Sequence, residues 1–467
     1  MEQFEKLIDK ISAWVWSYPL LALLVGGGIF FLVYSRFLPF RYFNRGIQVL
    51  RGKYDSENSN ESGQISSFQA LSTAIAATVG LGSIAGVAVA ITMGGPGAIF
   101  WMWITAIAGM ATKFFTCSLS VMYKGKDSAG ILQGGPMYFI TQGLGKKWKP
   151  LAVIFSACGM GGCLCLFQAN QLTEIISSGF LAPAGIETGM KSNFIIGVLI
   201  CAIVSIVIFG GIKRIGKVAA AMVPAMVVIY FTAVLIIMIK YSHNIIPTVQ
   251  LIFDDAFTGE AVSGGALGAL ILMGVRRGVF CNEAGVGTAS MAHGASKNPQ
   301  PIREGLVAMI EPTIDTILIC TLTAVSVLVT GVWEQFAGSD VKGITITLTA
   351  FETAIPYAGK YILLVAVLIF AFSTLFTSSY YGTKCASFLF GVKYAKYYNY
   401  VYVLTLIVAA IGSVKLVVCF IDTMYGLMAY CTIIGTIALS PRIMKATKEY
   451  FKTNKSESEL GIKKNKS

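Results

Sequence analysis

Residues 72–86 read Ser-Thr-Ala-Ile-Ala-Ala-Thr-Val-Gly-Leu-Gly-Ser-Ile-Ala-Gly, the middle of an apolar run of membrane-spanning length that Gly80 and Gly82 interrupt at its centre. Glycine in a helix interior costs about 1 kcal/mol against alanine. In hydrocarbon, a freed backbone amide or carbonyl is tolerated only where protein buries it or a cavity receives it. A glycine-broken helix at membrane depth is therefore a candidate ligand site, as in secondary transporters. Small residues also let membrane helices approach closely, and this stretch alone leaves both readings open.

Composition fixes the broad class. The 467 residues are 55% hydrophobic and 13% charged, against roughly 25% charged in soluble domains. At about 20 residues per span, most of the chain is membrane. A net charge of +13 would point to nucleic acid in a soluble protein. In a membrane protein it follows from basic cytoplasmic loops, and no nucleic-acid partner is expected. The ten cysteines have no zinc spacing and no disulfide framework, and His243 and His293 lie far apart. No resident metal or cofactor is expected.

Eleven spans are expected, near 14–35, 67–92, 97–122, 150–178, 193–212, 217–240, 262–292, 304–331, 360–388, 398–418 and 420–440. The apolar core of the first is too long for a cleaved signal peptide, and no small-residue cleavage site follows it. Placing the N-terminus outside and the C-terminus in the cytoplasm puts 28 of the 36 Lys and Arg inside, 7 outside and Lys113 within a span. That bias sets the expected orientation in the inner or plasma membrane. The Lys-rich tail from 441 to 467 has no apolar face and reads as a solvated, partly disordered end.

The seventh span mirrors the second. It carries Gly264, Gly265, Gly268, then Met273-Gly274-Val-Arg276-Arg277-Gly278, then Asn282-Glu283-Ala-Gly285-Val-Gly287. A break is expected at Met273-Gly274. Arg276 and Arg277 are either functional charges at membrane depth or side chains that snorkel to the cytoplasmic interface. Leaving out the first span, ten remain, five plus five, with broken helices at matching positions in two halves of opposite orientation. That is the best sequence pointer to a transporter's binding site. The expected organisation is an extra span and loop over 1–65, a ten-helix core over 66–440 with repeats at about 66–240 and 262–440, and the tail.

Half-helices aim N-terminal amides at anions, while freed carbonyls suit cations; such a site suits a zwitterion. Gly80 and Gly82 permit a backbone approach that a Cβ would block. Ser373 and Thr374 offer hard oxygens for a small cation, or bond back to their own helix. Gln168 and Asn170 either face a substrate or tie helices together. Glu311, Asp315, Lys113 and Glu174 lie within spans and must be paired, hydrated or neutral; they read as scaffold ion pairs or as a proton relay. Asp254-Asp255 falls in an outer loop with no special role expected. The Thr-rich stretch 341–356 is read as part of a long outer loop folding over the external vestibule.

Four stretches carry a family resemblance: Gly94-Gly-Pro-Gly-Ala-Ile-Phe-Trp-Met-Trp103, Gly134-Gly-Pro-Met-Tyr-Phe139, Gly274-Val-Arg-Arg-Gly-Val-Phe-Cys-Asn-Glu-Ala-Gly285, and Phe370-Ala-Phe-Ser-Thr374 followed by Tyr380-Tyr-Gly382. Together they resemble the alanine or glycine:cation symporter family. The resemblance implies an all-α, leucine-transporter-type fold with five-plus-five inverted repeats, sodium as coupling ion, and uptake of small neutral amino acids, with a single chain as the functional unit. It implies that Thr78, Gly80 and Gly82 meet the substrate carboxylate. The carbonyls of Ala76 and Val79 and the hydroxyls of Ser373 and Thr374 would hold sodium, and Gln168 with the Met273-Gly274 break would complete the pocket. The sequence departs from the family pattern at Met273, where Trp is usual, at Thr377-Ser378, where Gly-Trp is usual, and at Cys281, where Ser is usual. Smaller side chains there would enlarge the pocket towards a longer neutral amino acid such as glutamine. A passive channel would need a continuous polar path, and an enzyme a nucleophile–base pair or metal ligands. The sequence offers no convincing set of either kind, although Cys281-Asn282-Glu283 is not excluded by eye as an enzyme's site.

Overall fold

The computed structural model describes residues 10–12, 14–54, 64–257, 266–337, 343–412 and 414–459. Within them the only β-structure in strands is a two-residue hairpin, β1 (Gly125–Lys126) antiparallel to β2 (Leu132–Gln133). Everything else regular is helical. Seven helices are long and apolar enough to cross a membrane, and two bent pairs raise the number to nine.

The first bent pair is α1 (Tyr18–Tyr34) and α2 (Leu38–Leu50), at 79°. Leu38, Gly46 and Val49 of α2 are buried while Phe40 is exposed. The second is α3 (Ser67–Thr78) and α4 (Gly82–Gly94), bent by 53° across Val79–Leu81, which is the break expected at Gly80 and Gly82. A capping box starts α3: the Gln69 amide donates to Ser66 Oγ at 3.2 Å, and the Ser66 amide donates to Gln69 Oε1 at 3.0 Å. Then come α5 (Ala98–Met122), α6 (Lys149–Gly162), α7 (Leu166–Ile176), α8 (Met190–Ile208), α9 (Gly211–Lys240) and α10 (Ser242–Ala256). The Asp255 carboxylate at the end of α10 accepts from the Gly97 amide at 2.7 Å. It thus occupies the N-terminus of α5, a role the sequence did not suggest.

The second half runs through α11 (Ala266–Asn282), α12 (Thr288–His293), α13 (Pro301–Val329), α14 (Gly343–Ala354), α15 (Gly359–Phe390), α16 (Val392–Ile411) and α17 (Val414–Glu459). Helices stand where the seventh and tenth spans were expected. Those helices, α11 with α12 and α16, fall outside the nine candidates. The Thr-rich stretch resolves into α14, whose Thr347 hydroxyl reaches the Ile84 carbonyl of α4 at 3.5 Å.

Two expectations are corrected. The chain does not break at Met273-Gly274: α11 runs through both residues and ends at Asn282. Glycine at 274 serves packing, because a Cβ there would lie 2.5 Å from the Ala98 carbonyl oxygen and 2.8 Å from Trp101 Cβ on α5. One turn on, a Cβ at Gly278 would overlap the Thr105 hydroxyl. The break comes at Glu283, Gly285 and Gly287, with φ of 49°, 94° and 103°, values that glycine adopts freely and other residues rarely. Second, the C-terminal region does not leave the fold at 441. Helix α17 continues to Glu459, Tyr450 is buried, and Phe451 stacks on Tyr42 of α2 with ring centroids 3.8 Å apart; residues 460–467 lie outside the described residues. Arg276, one of the two arginines of the seventh span, is held in a polar cluster while its side chain stays part-exposed. It pairs with Asp422 at 3.0 Å and lies over the Trp16 ring at 5.4 Å, while Trp16 Nε1 donates to the Asp422 carbonyl at 2.7 Å. This cluster ties the extra N-terminal span to α11 and α17.

Gly274→Val should force α5 and α11 apart. Overpacking of this kind costs about 1–3 kcal/mol. The detergent-purified variant should therefore unfold at a lower temperature than wild type. Gly26→Val, at a position with nothing within 4 Å of its added Cβ, should not. Equal midpoints for wild type and Gly274→Val would contradict the packing role.

Candidate functional site

The first helix break is a short extended step. Val79 leaves helical geometry with φ −73° and ψ 90°, and its amide still donates to the Ile75 carbonyl at 2.7 Å. Buried side chains of α13 and α11 attend the ends. Thr78 Oγ1 donates to Glu311 Oε1 at 3.2 Å, and Ser83 Oγ donates to Asp315 Oδ1 at 2.7 Å. Thr323 Oγ1 donates to the Ser83 carbonyl at 3.0 Å, and Cys281 Sγ lies 3.6 Å from the Gly82 carbonyl. Lys113 of α5 sits 2.6 Å from Glu311, with both side chains almost fully buried. Two of the four charged groups expected in the spans, Lys113 and Glu311, thus form an ion pair attached to the break. Asp315 instead accepts from hydroxyls, those of Ser83 and of Thr316.

Across the break from α13 stands α15. Ser373 Oγ lies 3.3 Å and Thr374 Oγ1 3.0 Å from the same oxygen, the Ala76 carbonyl. Both hydroxyls also reach back to the Phe370 carbonyl of their own helix, at 2.8 and 3.1 Å. The bond back to their own helix is thus present, and it does not use up the reach of either hydroxyl. The pair is within bonding reach of its own helix and of the carbonyl at the break. Gly80 is the point of closest approach: a Cβ built there would stand 2.8 Å from Thr374 Oγ1. Three uncharged oxygens, from Ala76, Ser373 and Thr374, thus meet beside a segment where Val79 has turned out of the helix. Oxygen donors of this kind suit a small hard cation.

Beside this cluster lies a cavity of about 400 Å³, counting the open space at its mouth. Thr78, Gly80 and Gly82 line it from the first break, Phe280 and Glu283 from the end of α11, Phe167 and Gln168 from α7, and Ile421 and Tyr425 from α17. Gln168 faces the cavity. Asn170 does not, since its amide nitrogen donates to the Ala409 and Gly412 carbonyls at 2.9 and 3.0 Å. Met273 and Gly274 are not among the lining residues. Met273 instead packs against Gly94, whose built Cβ would lie 3.0 Å from Met273 Cγ. Nor is Ser378 a lining residue, so the smaller side chains at 273 and 378 do not enlarge this cavity. Gly82 also differs from expectation. A Cβ there would make ordinary contact with the Phe280 ring at 3.5–3.6 Å, whereas Gly80 has no such room.

Sequence reasoning missed Phe280, Glu283, Ile421 and Tyr425. A signal for Glu283 was present: Gly285-Val-Gly287 repeats the Gly80-Leu-Gly82 spacing, and Glu283 stands two residues before it. Nothing in the local sequence marks Ile421 or Tyr425. They arrive through the packing of α17.

Two discontinuous helices meeting at a small, partly polar cavity, with an oxygen cluster at one of the breaks, define a secondary transporter. The structure of MhsT in complex with L-phenylalanine has the same fold: TM-score 0.56 over 75% of this chain and 80% of that chain, at 12% identity. The fold is of the leucine-transporter type. The chain belongs to the sodium:alanine symporter family, whose model matches residues 1–464. It is 38% identical over 460 residues to the sodium/alanine symporter AgcS of Methanococcus maripaludis, covering 97% of this chain and 99% of that protein. It is 36% identical over 456 residues to an uncharacterized transporter of Haemophilus influenzae, covering 96% of each.

The geometry separates the two glycines. Gly80→Ala should displace the Thr374 hydroxyl and raise the sodium concentration needed for half-maximal uptake. Gly82→Ala should leave it near the wild-type value. Sodium titrations of uptake by the two variants check this, and the reverse order would contradict the contact with Thr374.

Proposed function

We propose that this protein drives uptake of a small neutral amino acid of the alanine class by symport with sodium, through alternating access. The observation that carries this reading is the convergence of Ser373 and Thr374 on the Ala76 carbonyl, at the break that also lines the cavity. Sodium would be held by the carbonyls of Ala76 and Val79 and the hydroxyls of Ser373 and Thr374. The substrate carboxylate would face the first break at Thr78, Gly80 and Gly82, where the start of α4 presents the positive end of a helix dipole. Gln168 would add a polar contact, and Phe280 with Ile421 would confine the side chain. Coupling follows from sharing. Gly80 borders both the cavity and Thr374, so ordering by one ligand lowers the ordering cost of the other.

The same reading puts the protein in the cytoplasmic membrane with the N-terminus outside and the C-terminus inside, on the Lys and Arg bias of the loops. Residues 66–440 form the transport core, with α1 as an accessory span and the segment after 440 as a basic cytoplasmic end. Each chain carries the whole cavity and is taken as the unit of transport.

Proteoliposomes with sodium, lithium or choline outside test the proposal. Labelled alanine should accumulate above equilibrium only under an inward sodium gradient. A channel would equilibrate without accumulating, and an enzyme would alter the label. Thr374→Val keeps the shape and removes an oxygen. A lost charged contact is worth about 1.5–3 kcal/mol, so half-saturation by sodium should rise about tenfold or more. An unchanged sodium dependence would remove Thr374 from the site.

A further inference from the structure

The cavity has one charged residue in its lining, Glu283. Its setting is built rather than incidental. The residue occupies the first left-handed position of the second break, with φ 49°, where side chains other than glycine are uncommon. Its amide donates to the Val279 carbonyl at 2.9 Å, and its own carbonyl accepts from the Val286 amide at 3.1 Å. One carboxylate oxygen, Oε2, accepts from Thr288 Oγ1 at 2.5 Å. Thr288 is itself fully buried at the start of α12. The residue is therefore held at its backbone, and its carboxyl is held by Thr288 and approached by the Tyr425 hydroxyl, while it lines the cavity.

Among the described residues no cation is paired with it: Glu283 forms no salt bridge, and Lys113 is taken by Glu311 at 2.6 Å. A carboxylate at membrane depth without a cation is costly, and that cost is relieved when a cation enters the cavity. The oxygen cluster proposed for sodium belongs to α3 and α15, not to the break that carries Glu283. The remaining candidate is the substrate. A zwitterion with its carboxylate at the first break would turn its ammonium towards the second.

The geometry points to Glu283 as the counter-ion of the substrate's α-ammonium group, and so as the residue that makes the site select amino acids over other small carboxylates. This rests on reading the cavity as the substrate site. Thr288 anchors Oε2 and the Tyr425 hydroxyl of α17 lies against the carboxyl, so the charge is oriented at the cavity wall where a ligand would meet it. A site built to bond a polar group rejects analogues that lack it far more strongly than an apolar pocket rejects a methylene. Propionate, which is alanine without its amino group, should therefore be a poor ligand. N-acetylalanine, whose nitrogen carries no charge, should be poor as well.

The test uses the purified full-length protein, with labelled alanine binding at saturating sodium and with competition by unlabelled propionate. Glu283→Gln keeps an oxygen to accept from Thr288 and removes the charge. Its half-saturating alanine concentration should rise at least thirtyfold, and its preference for alanine over propionate should fall by a similar factor. Sodium-dependent thermal stabilisation measured without amino acid should persist, which reports a folded variant with its cation site intact. Glu283→Asp, shorter but charged, should keep most of the alanine-over-propionate preference even if affinity drops. Wild-type preference in Glu283→Gln would overturn the assignment. Should that variant not fold, equal competition by propionate and alanine on wild type would overturn it as well. Gly82→Leu separates this from failure of the underlying reading, because its side chain fills the same cavity. Normal alanine binding by Gly82→Leu would mean that the cavity is not the substrate site. Loss of binding there together with unchanged preference in Glu283→Gln would remove Glu283 alone.

Discussion

In the middle of a bilayer, the end of a helix has no water to turn to. This protein has two such ends facing one cavity, and much of its buried polar chemistry exists to cover them. Unsatisfied backbone groups in hydrocarbon cost several kcal/mol each, so a break survives only with dedicated partners. Around the first break these are hydroxyls and a thiol: Ser373 and Thr374 on the Ala76 carbonyl, Thr323 on the Ser83 carbonyl and Cys281 beside the Gly82 carbonyl, with Glu311 and Asp315 accepting from the flanking Thr78 and Ser83 hydroxyls. Around the second they are local: Asn282 Oδ1 accepts from the Ala284 amide at 2.9 Å, and Thr288 holds Glu283. The Lys113–Glu311 pair takes its meaning from this arrangement. A buried pair is weak evidence for stability by itself, because desolvation offsets the attraction. Here the pair lets Glu311 remain an acceptor beside Thr78 without leaving an uncompensated charge.

On the proposed reading, ion and substrate are joined by the same constraint. A continuous helix through residues 67–94 would give a cation and a zwitterion two separate surfaces. The extended step at Val79–Leu81 instead places the end of α3, the start of α4 and the Thr374 hydroxyl within one small volume. Whatever orders that step orders it for both ligands. A ligand couples to another only through a difference between states that both can feel. Two residues without regular structure, Val79 and Gly80, beside Thr374 of α15, are such a difference.

The first break was legible because two glycines interrupt an apolar run that has no other reason to contain them. The second was legible in existence and misplaced in position. Gly274 and Gly278 carry the same sequence signature as a break, yet they lie inside an unbroken helix. Their lack of a Cβ serves close packing against the Ala98 carbonyl and Thr105. Gly285 and Gly287 serve the other use of glycine, a positive φ. Sequence alone does not separate these uses, since both read as glycine in an apolar helix. The Ser373-Thr374 pair was marked by its oxygens, while its place beside the Ala76 carbonyl followed from the family resemblance and not from its own sequence. Tyr425 and Ile421 were not legible, because their presence in the cavity depends on how α17 crosses the core. The C-terminal stretch past 440 misled through composition: lysines and glutamates predict a solvated tail, while Phe451 finds an aromatic partner in Tyr42.

A third interruption, which nothing in the sequence announced, shows how far the principle extends. Between α6 and α7 the chain turns at Cys165, a non-glycine residue at φ 52°. The flanking residues Gly162, Phe167 and Gln168 all line the cavity. The Cys165 thiol lies 3.9 Å from the Thr374 carbonyl, so this turn also touches the residue that Gly80 approaches from the other side. Three chain interruptions from three helices therefore meet around one cavity and one threonine. An unbroken helix presents only side chains to its neighbours, because its own carbonyls and amides bond one another along the axis. To offer backbone oxygens and amides to an ion and a zwitterion in the membrane, helices have to stop. They have to stop in the same place, so that each end is covered by another element when no ligand is bound. The cavity of this protein is best described as the place where its helices stop, and its walls are the groups that make stopping there tolerable.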